Sequence, residues 1–449
     1  MSIRYSLFTV IVSALLCSAQ TSHTNLPDFM LWTRLTMGQV VSSQTEATNN
    51  DYSFEHEWLK TMDAGIRITR SVGSHVLGRL NFGVGINYNV NAKNSIAGAE
   101  FLGKKFTPYL LDAALQSTFA VRNGLDTLQM EFGYFPYKYN PQSTSLGEYM
   151  FRTGTYPGYI ISGFENSIDK PKVCGLRLGY SMQGVGTLRQ DLLLTTEMDV
   201  YPLNDISLTY MAAYSPHPFA DIGAGVQFAR MISVDERKTT PWFDDVLFNT
   251  ASSDSRKWTG YVDPVTGDTT KYTFSGIKCV GRLTLDPQAF VKCRFLGKDD
   301  LKVYAEAALL GVKNYAPWYM KRSERVPAMF GFNFPAFGLL DILSLEAEWY
   351  GSPYWNSQEN IWKGRSPVPY TGLGGPDPDN WQPKTDDQWK WSIYASRKIG
   401  GNVRISAQAA SDHTPRYWYT PGPPSFVKYT EMVPRTRDWY YMMRVAFNF

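Results

Sequence analysis

The chain has 449 residues and a formal net charge of +3. This near balance argues against a nucleic-acid partner and against an acidic disordered chain. Aromatic residues make up 15% of the sequence, which suits a membrane barrel with aromatic girdles. Large aromatic cores and sugar-binding surfaces use similar compositions, so composition alone leaves the fold open.

The amino terminus predicts export. Arg4 precedes a mainly apolar run from Leu7 to Leu16, and small residues follow in the sequence CSAQ. This order of charge, apolar core and small residues is that of a secretory signal peptide, predicted to occupy residues 1–19. The mature chain, 20–449, has no apolar run as long as a membrane-spanning helix requires. Soluble secretion and a β-barrel remain as alternatives.

The exported region is predicted to be a series of strands, each with the period-two alternation of a half-buried strand. The clearest is 76–90, whose unbroken alternation is long enough to cross a membrane obliquely. The segment 286–300 is ambiguous, so the strand count is weakest there. In all, about sixteen strands are predicted, at 29–41, 59–70, 76–90, 109–121, 128–137, 173–182, 191–201, 206–214, 222–234, 272–285, 301–311, 326–334, 343–349, 389–395, 403–409 and 438–449.

The connections between these strands alternate between short turns and long loops. Outer-membrane barrels have this pattern, and their even strand number keeps both termini on the side of the short turns. The exceptions are the short YPLND connection on the long-loop side and 286–300 on the short-turn side. We therefore expect a single all-β domain, a transmembrane antiparallel barrel. The long loops are 43–58, 91–108, 139–172, 235–271, 351–387 and 412–437.

The last strand carries a further signal. Apolar side chains occupy alternate positions from Trp439 to the carboxy-terminal Phe449. This ending resembles the closing strand of bacterial outer-membrane β-barrels, in which it serves as an assembly signal. With about sixteen strands, the architecture resembles that of the porins. The resemblance implies localisation in the cell outer membrane, contact with outer-membrane lipid and, following the porin pattern, a possible homotrimer.

If the apolar face of each strand contacts lipid, the polar face points into the lumen. This inward face carries many charges of both signs, which a dry core would not tolerate but a water-filled pore would. Some of them are expected to form ion pairs that stiffen the wall. The inward charges are Arg67, Arg79, Arg177, Lys278, Arg282, Lys302, Arg404, Arg444, Glu131, Glu197, Glu306, Glu346 and Glu348.

The third long connection, 139–172, is a candidate constriction loop because it is too apolar for an ordinary solvent-exposed loop. Folding into the lumen would bury its apolar residues; packing over the barrel mouth or against a neighbouring subunit is the alternative. In general porins, acidic residues on such a loop face arginines on the wall. The resemblance implies that Glu148 is the loop acid and that Arg67, Arg79, Arg404 and Arg444 are its counterparts on the wall. Lys138 and Arg152 lie near Glu148 and argue against marked cation preference. The pore-lining candidates are Glu148, Arg152, Arg67, Arg79, Arg404, Arg444, Glu131, Glu346 and Glu348.

Signatures of catalysis and of metal binding are scarce. The five histidines are scattered and form no HExxH motif. Glu346 and Glu348 form a carboxylate pair, but on one face of one strand, whereas glycosidases need carboxylates on opposite sides of the bond. We expect no enzymatic activity, no cofactor and no metal site.

The sequence thus indicates a porin-like channel for passive diffusion of small hydrophilic solutes. An outer-membrane hydrolase is one alternative. A surface adhesin or glycan-binding barrel is another, because aromatic residues suited to sugar stacking lie on the predicted loops. They are Trp355, Trp362, Trp381, Tyr417 and Trp418.

Overall fold

Sixteen strands form one closed antiparallel barrel, in which each strand pairs with the next barrel strand along the chain and the last pairs with the first. The predicted barrel of about sixteen strands is therefore confirmed. No helix in the described regions of the chain is long and apolar enough to cross a membrane. The computed structural model describes residues 27–43, 54–87, 107–154, 160–162, 171–198, 203–232, 259–262, 266–267, 269–272, 274–290, 295–312, 318–354, 356, 386–420 and 426–449. The predicted signal peptide lies outside these residues.

The strands follow the predicted order along the chain. Helical segments are limited to one α-helical turn, Tyr149–Arg152, and 3-10 turns at Arg122–Gly124, Pro287–Ala289 and Arg322–Arg325 among the described residues. The barrel strands are β1 (Asp28–Ser42), β2 (Trp58–Val72), β3 (Val76–Asn87), β4 (Thr107–Val121), β5 (Asp126–Pro136), β6 (Lys172–Gly184), β7 (Gly186–Thr196), β8 (Ile206–His217), β9 (Ala220–Ile232), β12 (Gly276–Leu285), β13 (Val303–Leu310), β14 (Ala328–Asn333), β15 (Ile342–Trp349), β16 (Trp389–Ile399), β17 (Val403–Ser411) and β20 (Trp439–Asn448).

Two short hairpins differ from the sequence prediction. β10 (Thr259–Val262) pairs with β11 (Thr269–Tyr272), and β18 (Pro415–Thr420) pairs with β19 (Phe426–Glu431), in segments predicted mainly as loop. Strands this short show too little alternation to be recognised from sequence. The ambiguous segment 286–300 adds no strand in its described residues, which hold a 3-10 turn and a turn closed by the Asp300 N–H donating to the Gly297 carbonyl.

The alternating strand directions place the start of β1 and the end of β20 at the same end of the barrel, as predicted. The chain enters β1 and leaves β20 at the end of the barrel that carries the short turns, here called the turn end. The strand ends that the six long connections join lie at the opposite end, the loop end. At the seam, the Phe449 N–H donates to the Leu31 carbonyl at 2.7 Å, so the carboxy-terminal residue completes the closure.

The two faces of the wall differ sharply in polarity. Outward side chains such as Leu31, Met37 and Phe132 are apolar and exposed, and this surface continues around the barrel. Soluble monomers rarely expose apolar patches of such extent, so the outer face is suited to contact with lipid. On β20, Met443 is exposed whereas Arg444 is buried in the interior, as strand alternation requires.

The buried apolar clusters lie inside the barrel, between the wall and the connections that fold inward. One cluster contains Leu146, Tyr149 and Met150 of the third long connection, packed on inward residues such as Val280 and Leu310. A second contains Met432 and Val433 of the last long connection, packed on Val40 and Tyr440. Two connections from the loop end therefore occupy a portion of the lumen.

Candidate functional site

The candidate site is the third long connection where it lies against the inner wall. The described residues 137–154 and 160–162 of this connection, here called the inner loop, contact inward side chains of β12, β13, β15 and β17. Its apolar residues are enclosed: Tyr149 and Met150 are 0% and 1% exposed. Burial of these side chains supplies the hydrophobic component of the docking free energy.

Backbone N–H groups of the inner loop bind Glu346 on β15. Thr144, Ser145 and Leu146 donate to its carboxylate at 2.5, 2.8 and 2.8 Å, and the Tyr304 hydroxyl adds a fourth donor at 2.9 Å. Successive N–H groups that converge on one anion form a nest, which favours the charged carboxylate. Glu346 therefore holds the tip of the inner loop on the wall.

Glu306 on β13 binds the next few residues of the loop in a similar way. It accepts hydrogen bonds from the N–H groups of Glu148 at 3.1 Å and Tyr149 at 2.9 Å, and also from the Tyr139 hydroxyl. Gly147, which precedes them, has φ +77°, and a Cβ there would lie 2.6 Å from the Met329 side chain. Residues other than glycine rarely adopt this φ, so glycine allows the loop to make this turn against the wall without strain.

Lys278 and Gln408 bind the inner loop to strands on either side of β13 and β15. The Lys278 ammonium on β12 donates to the carbonyls of Met150 at 2.5 Å and Thr153 at 3.0 Å. The Gln408 amide on β17 donates to the Ser145 hydroxyl at 2.9 Å. The loop is thus hydrogen-bonded to the wall from β12 to β17, and the Tyr137 hydroxyl adds a hydrogen bond to Asp191 on β7 at 2.9 Å.

Glu148 and Arg152, the charged candidates on the loop, are turned into its own interior. Glu148 accepts the Asn140 N–H at 2.7 Å, and Arg152 donates to the Ser145 carbonyl at 2.8 Å. Burial, with a contribution from nearby Glu306, raises the pKa of Glu148 to about 8, so the carboxyl is mainly neutral at pH 7. Among the described contacts, Glu148 meets none of the four wall arginines named as its counterparts.

Arg79 and Glu131 belong to a ladder of alternating charges on the wall from β3 to β7. Arg79 pairs with Asp112 at 3.1 Å and with Glu131. Arg177 pairs with Glu131 at 3.3 Å and with Asp191 at 2.8 Å. These four contacts across five strands are the wall-stiffening pairs expected of an aqueous lumen.

The other three arginine candidates lie at separate places on the wall. Arg444 on β20 is buried and donates to the Thr36 hydroxyl at 2.9 Å. Arg67 on β2 and Arg404 at the turn end of β17 are exposed. Neither makes a hydrogen bond or ion pair with any residue that the structure describes, so their charges face the water of the lumen.

A buried cluster around His413 connects the inner loop to two other connections. The His413 ring contacts Glu348 at 2.7 Å through Nε2 and Glu431 at 2.5 Å through Nδ1. Asn356 accepts the Ile160 N–H at 2.6 Å and donates to the Ile160 carbonyl at 2.9 Å and to Glu431. The cluster brings three long connections together above β15.

His413 is positively charged in this cluster. Burial lowers its pKa, but the two carboxylates outweigh that cost and raise the pKa to about 9. No sequence motif marks this site, because long stretches of chain separate His413, Glu348, Glu431 and Asn356. The same separation hid the role of Glu306.

Glu346 and Glu348, the carboxylate pair considered for glycosidase chemistry, are both occupied by protein donors and 0% exposed. No group of three His, Cys, Asp or Glu side chains in the described ranges could hold a metal ion. The aromatic residues proposed for glycan binding fall outside the residues whose side chains are described, so that alternative stays a prediction.

No protein-family model and no curated protein matches the chain. Among solved structures, a triple mutant of the Rhodopseudomonas blastica porin is 8% identical with a TM-score of 0.41, covering 94% of this chain and 100% of the porin. Salmonella typhi OmpF in complex with daunomycin is 9% identical with a TM-score of 0.44, covering 94% of this chain and 97% of OmpF. By its own strand order and inward-folded loop, the chain is a closed sixteen-stranded β-barrel of porin-like architecture.

Proposed function

We propose that the chain is an outer-membrane channel through which small hydrophilic solutes diffuse passively, and that the inner loop narrows its lumen. The docked loop is the observation that carries the proposal. It is hydrogen-bonded to the wall from β12 to β17 and also packs on β4 to β8, whereas charged side chains such as Arg67 on β2 stay exposed to water. In a barrel with a dry interior, such a charge would need an ion-pair partner, because removing it from water is costly.

The outer surface supports the membrane setting. Apolar side chains cover the outward positions of the strands, as lipid contact requires. The predicted signal peptide supports export to the outer membrane. A homotrimer follows only from the resemblance to porins, and chemical crosslinking of the protein in membranes tests it.

Single-channel recording tests the channel function. The mature chain, refolded and inserted in a planar bilayer, is expected to give stable conductance steps. Removing Pro141 to Tyr159 should enlarge each step, because the deletion takes out the loop tip that Glu346 and Glu306 hold. Circular dichroism of both proteins controls for barrel formation. A folded, inserted barrel that passes no current would contradict the proposal.

A further inference from the structure

The docked inner loop covers three carboxylates of the wall, so that they no longer contact the water of the lumen. Glu306, Glu346 and Glu348 are at most 2% exposed. Their oxygens accept hydrogen bonds from loop N–H groups, from tyrosine hydroxyls or from the His413 ring. Hydrogen-bond donors of this kind stabilise the negative charge of a carboxylate locally. The wall beneath the loop therefore offers little negative charge to a passing solute.

The open side of the lumen lies directly across the barrel from this covered wall. In the ring of sixteen strands, β2 is eight positions from β12, β3 eight from β13, and β5 eight from β15. The inner loop also packs on β4 to β8, because Ala114, Val173, Leu193 and Met211 lie in its buried cluster. Among the described contacts it leaves the inward face of β1 to β3 uncovered, so solutes that pass the loop move along this face. Arg67 and Arg79 lie on it.

Positive charge is the more accessible sign on this face. Arg67 is exposed and has no ion pair with a described residue. In the ladder, Arg79 and Arg177 are 22% and 24% exposed, whereas Glu131, Asp112 and Asp191 are 7%, 15% and 19% exposed. Next along the wall, Asp221 is 19% exposed and lies between Arg189, which is 47% exposed, and Arg282, which is 4% exposed. In the ladder, each arginine is therefore more exposed than its carboxylate partners.

In some of the described pairs near the two ends of the barrel, the carboxylate is the more exposed partner. Asp299 is more exposed than Lys302 in the 286–302 turn, and Glu197 is more exposed than Arg230 at the loop end. Wide vestibules screen such charges, since the Debye length is about 8 Å at physiological ionic strength. Charges beside the narrowed passage therefore have the larger influence on which ions pass.

We propose that the channel prefers small hydrophilic anions over cations, with Arg67 as the main selectivity residue of the open side. The inference rests on the proposed channel function and adds the class of solute. A solute carrying a carboxylate or phosphate group would meet accessible guanidinium groups, which bind such groups through paired N–H donors.

The reversal potential under a potassium chloride gradient tests the preference. The wild-type protein is expected to show a potential of the sign that chloride permeation produces. Arg67→Gln should shift the potential toward zero, and Arg67→Glu should carry it further, to the sign of a potassium-selective pore. Both variants should fold, because Arg67 is exposed and makes no hydrogen bond or ion pair with a described residue. Its charge interacts with that of Asp112, but Asp112 keeps its ion pair with Arg79 in both variants.

Arg70→Gln is the matched control. Arg70 lies on the same strand, is also exposed and points outward, since it falls three residues from Arg67 and therefore on the opposite face. Its replacement should leave the reversal potential unchanged. A conducting wild-type channel with potassium preference, or an Arg67→Glu variant with wild-type selectivity, would overturn the anion preference alone. A barrel without current would overturn the channel function as well.

Discussion

Replacing Glu306 and Glu346 together by alanine is expected to release the inner loop and raise the single-channel conductance severalfold. The two carboxylates accept five backbone N–H groups of the loop. Each buried N–H left without an acceptor costs about 1 to 3 kcal/mol. Undocking restores hydrogen bonds to water, so the loop should leave the wall rather than stay there unpaired. The wider lumen then carries more current per channel.

Glu131→Ala is the control for this prediction. Glu131 is also an inward, buried carboxylate with two hydrogen-bonded partners, but those partners are Arg79 and Arg177 of the wall and not the loop. Its replacement should leave the inner loop docked. Limited proteolysis gives an independent measure, because an undocked loop becomes accessible to protease whereas a docked one is protected. Equal conductance and equal protease resistance in the Glu306 and Glu346 double variant would refute the docking role.

Raising the pH from 6 to 10 is expected to loosen the assembly of inward-folded connections. His413 has a pKa raised to about 9 from 6.5, chiefly because the carboxylates of Glu431 and Glu348 outweigh its burial. A folded-state pKa above the unfolded value means that the stabilisation is full below pH 6.5 and is lost as the pH rises through 9. For this fully buried ring the loss is about 3 kcal/mol.

Two carboxyl groups near the same connections also make the folded protein less stable as the pH rises. Burial raises the pKa of Glu148 to about 8 and that of Asp387, whose Oδ2 accepts the Asn356 N–H, to about 7. Each group binds a proton more tightly in the folded protein than in the unfolded chain. Stability therefore falls between pH 4.5 and 8 for Glu148 and between pH 3.8 and 7 for Asp387.

Thermal unfolding at several pH values measures this effect, with His413→Gln as the diagnostic variant. Near pH 6 the variant should unfold at a clearly lower temperature, because Glu348 and Glu431 lose the cation between them. The gap to wild type should close as the pH approaches 9 to 10, where the wild-type ring is neutral too. His75→Gln, in an exposed turn, should follow the wild-type curve. A gap that stays constant with pH would show that His413 does not titrate as described.

The barrel and the sidedness of its wall could be predicted because both depend on local patterns. Alternation assigned Arg79, Glu131 and Glu346 to the inward face, and the loop lengths separated the two ends of the barrel. Apolar residues such as Tyr149 also marked the third long connection as one that needs burial. Each of these inferences follows from the period of a strand or from the polarity of a segment.

The contacts inside the lumen could not be predicted in this way. Glu346 binds the N–H groups of 144–146, but every residue except proline offers such a donor, so no sequence pattern distinguishes those three. Glu148 was expected to face wall arginines, yet docking of its neighbours on Glu306 turned its side chain into the loop. His413 became a buried cation only because folding placed it between Glu348 and Glu431.

By itself, the sequence determined the barrel strands, their number and the face that their side chains occupy, because backbone geometry imposes a period of two on every strand. The tertiary structure decided which wall the inner loop covers. It also decided which charges remain exposed, because the desolvation of a charge depends on all the groups packed around it and not on its neighbours along the chain.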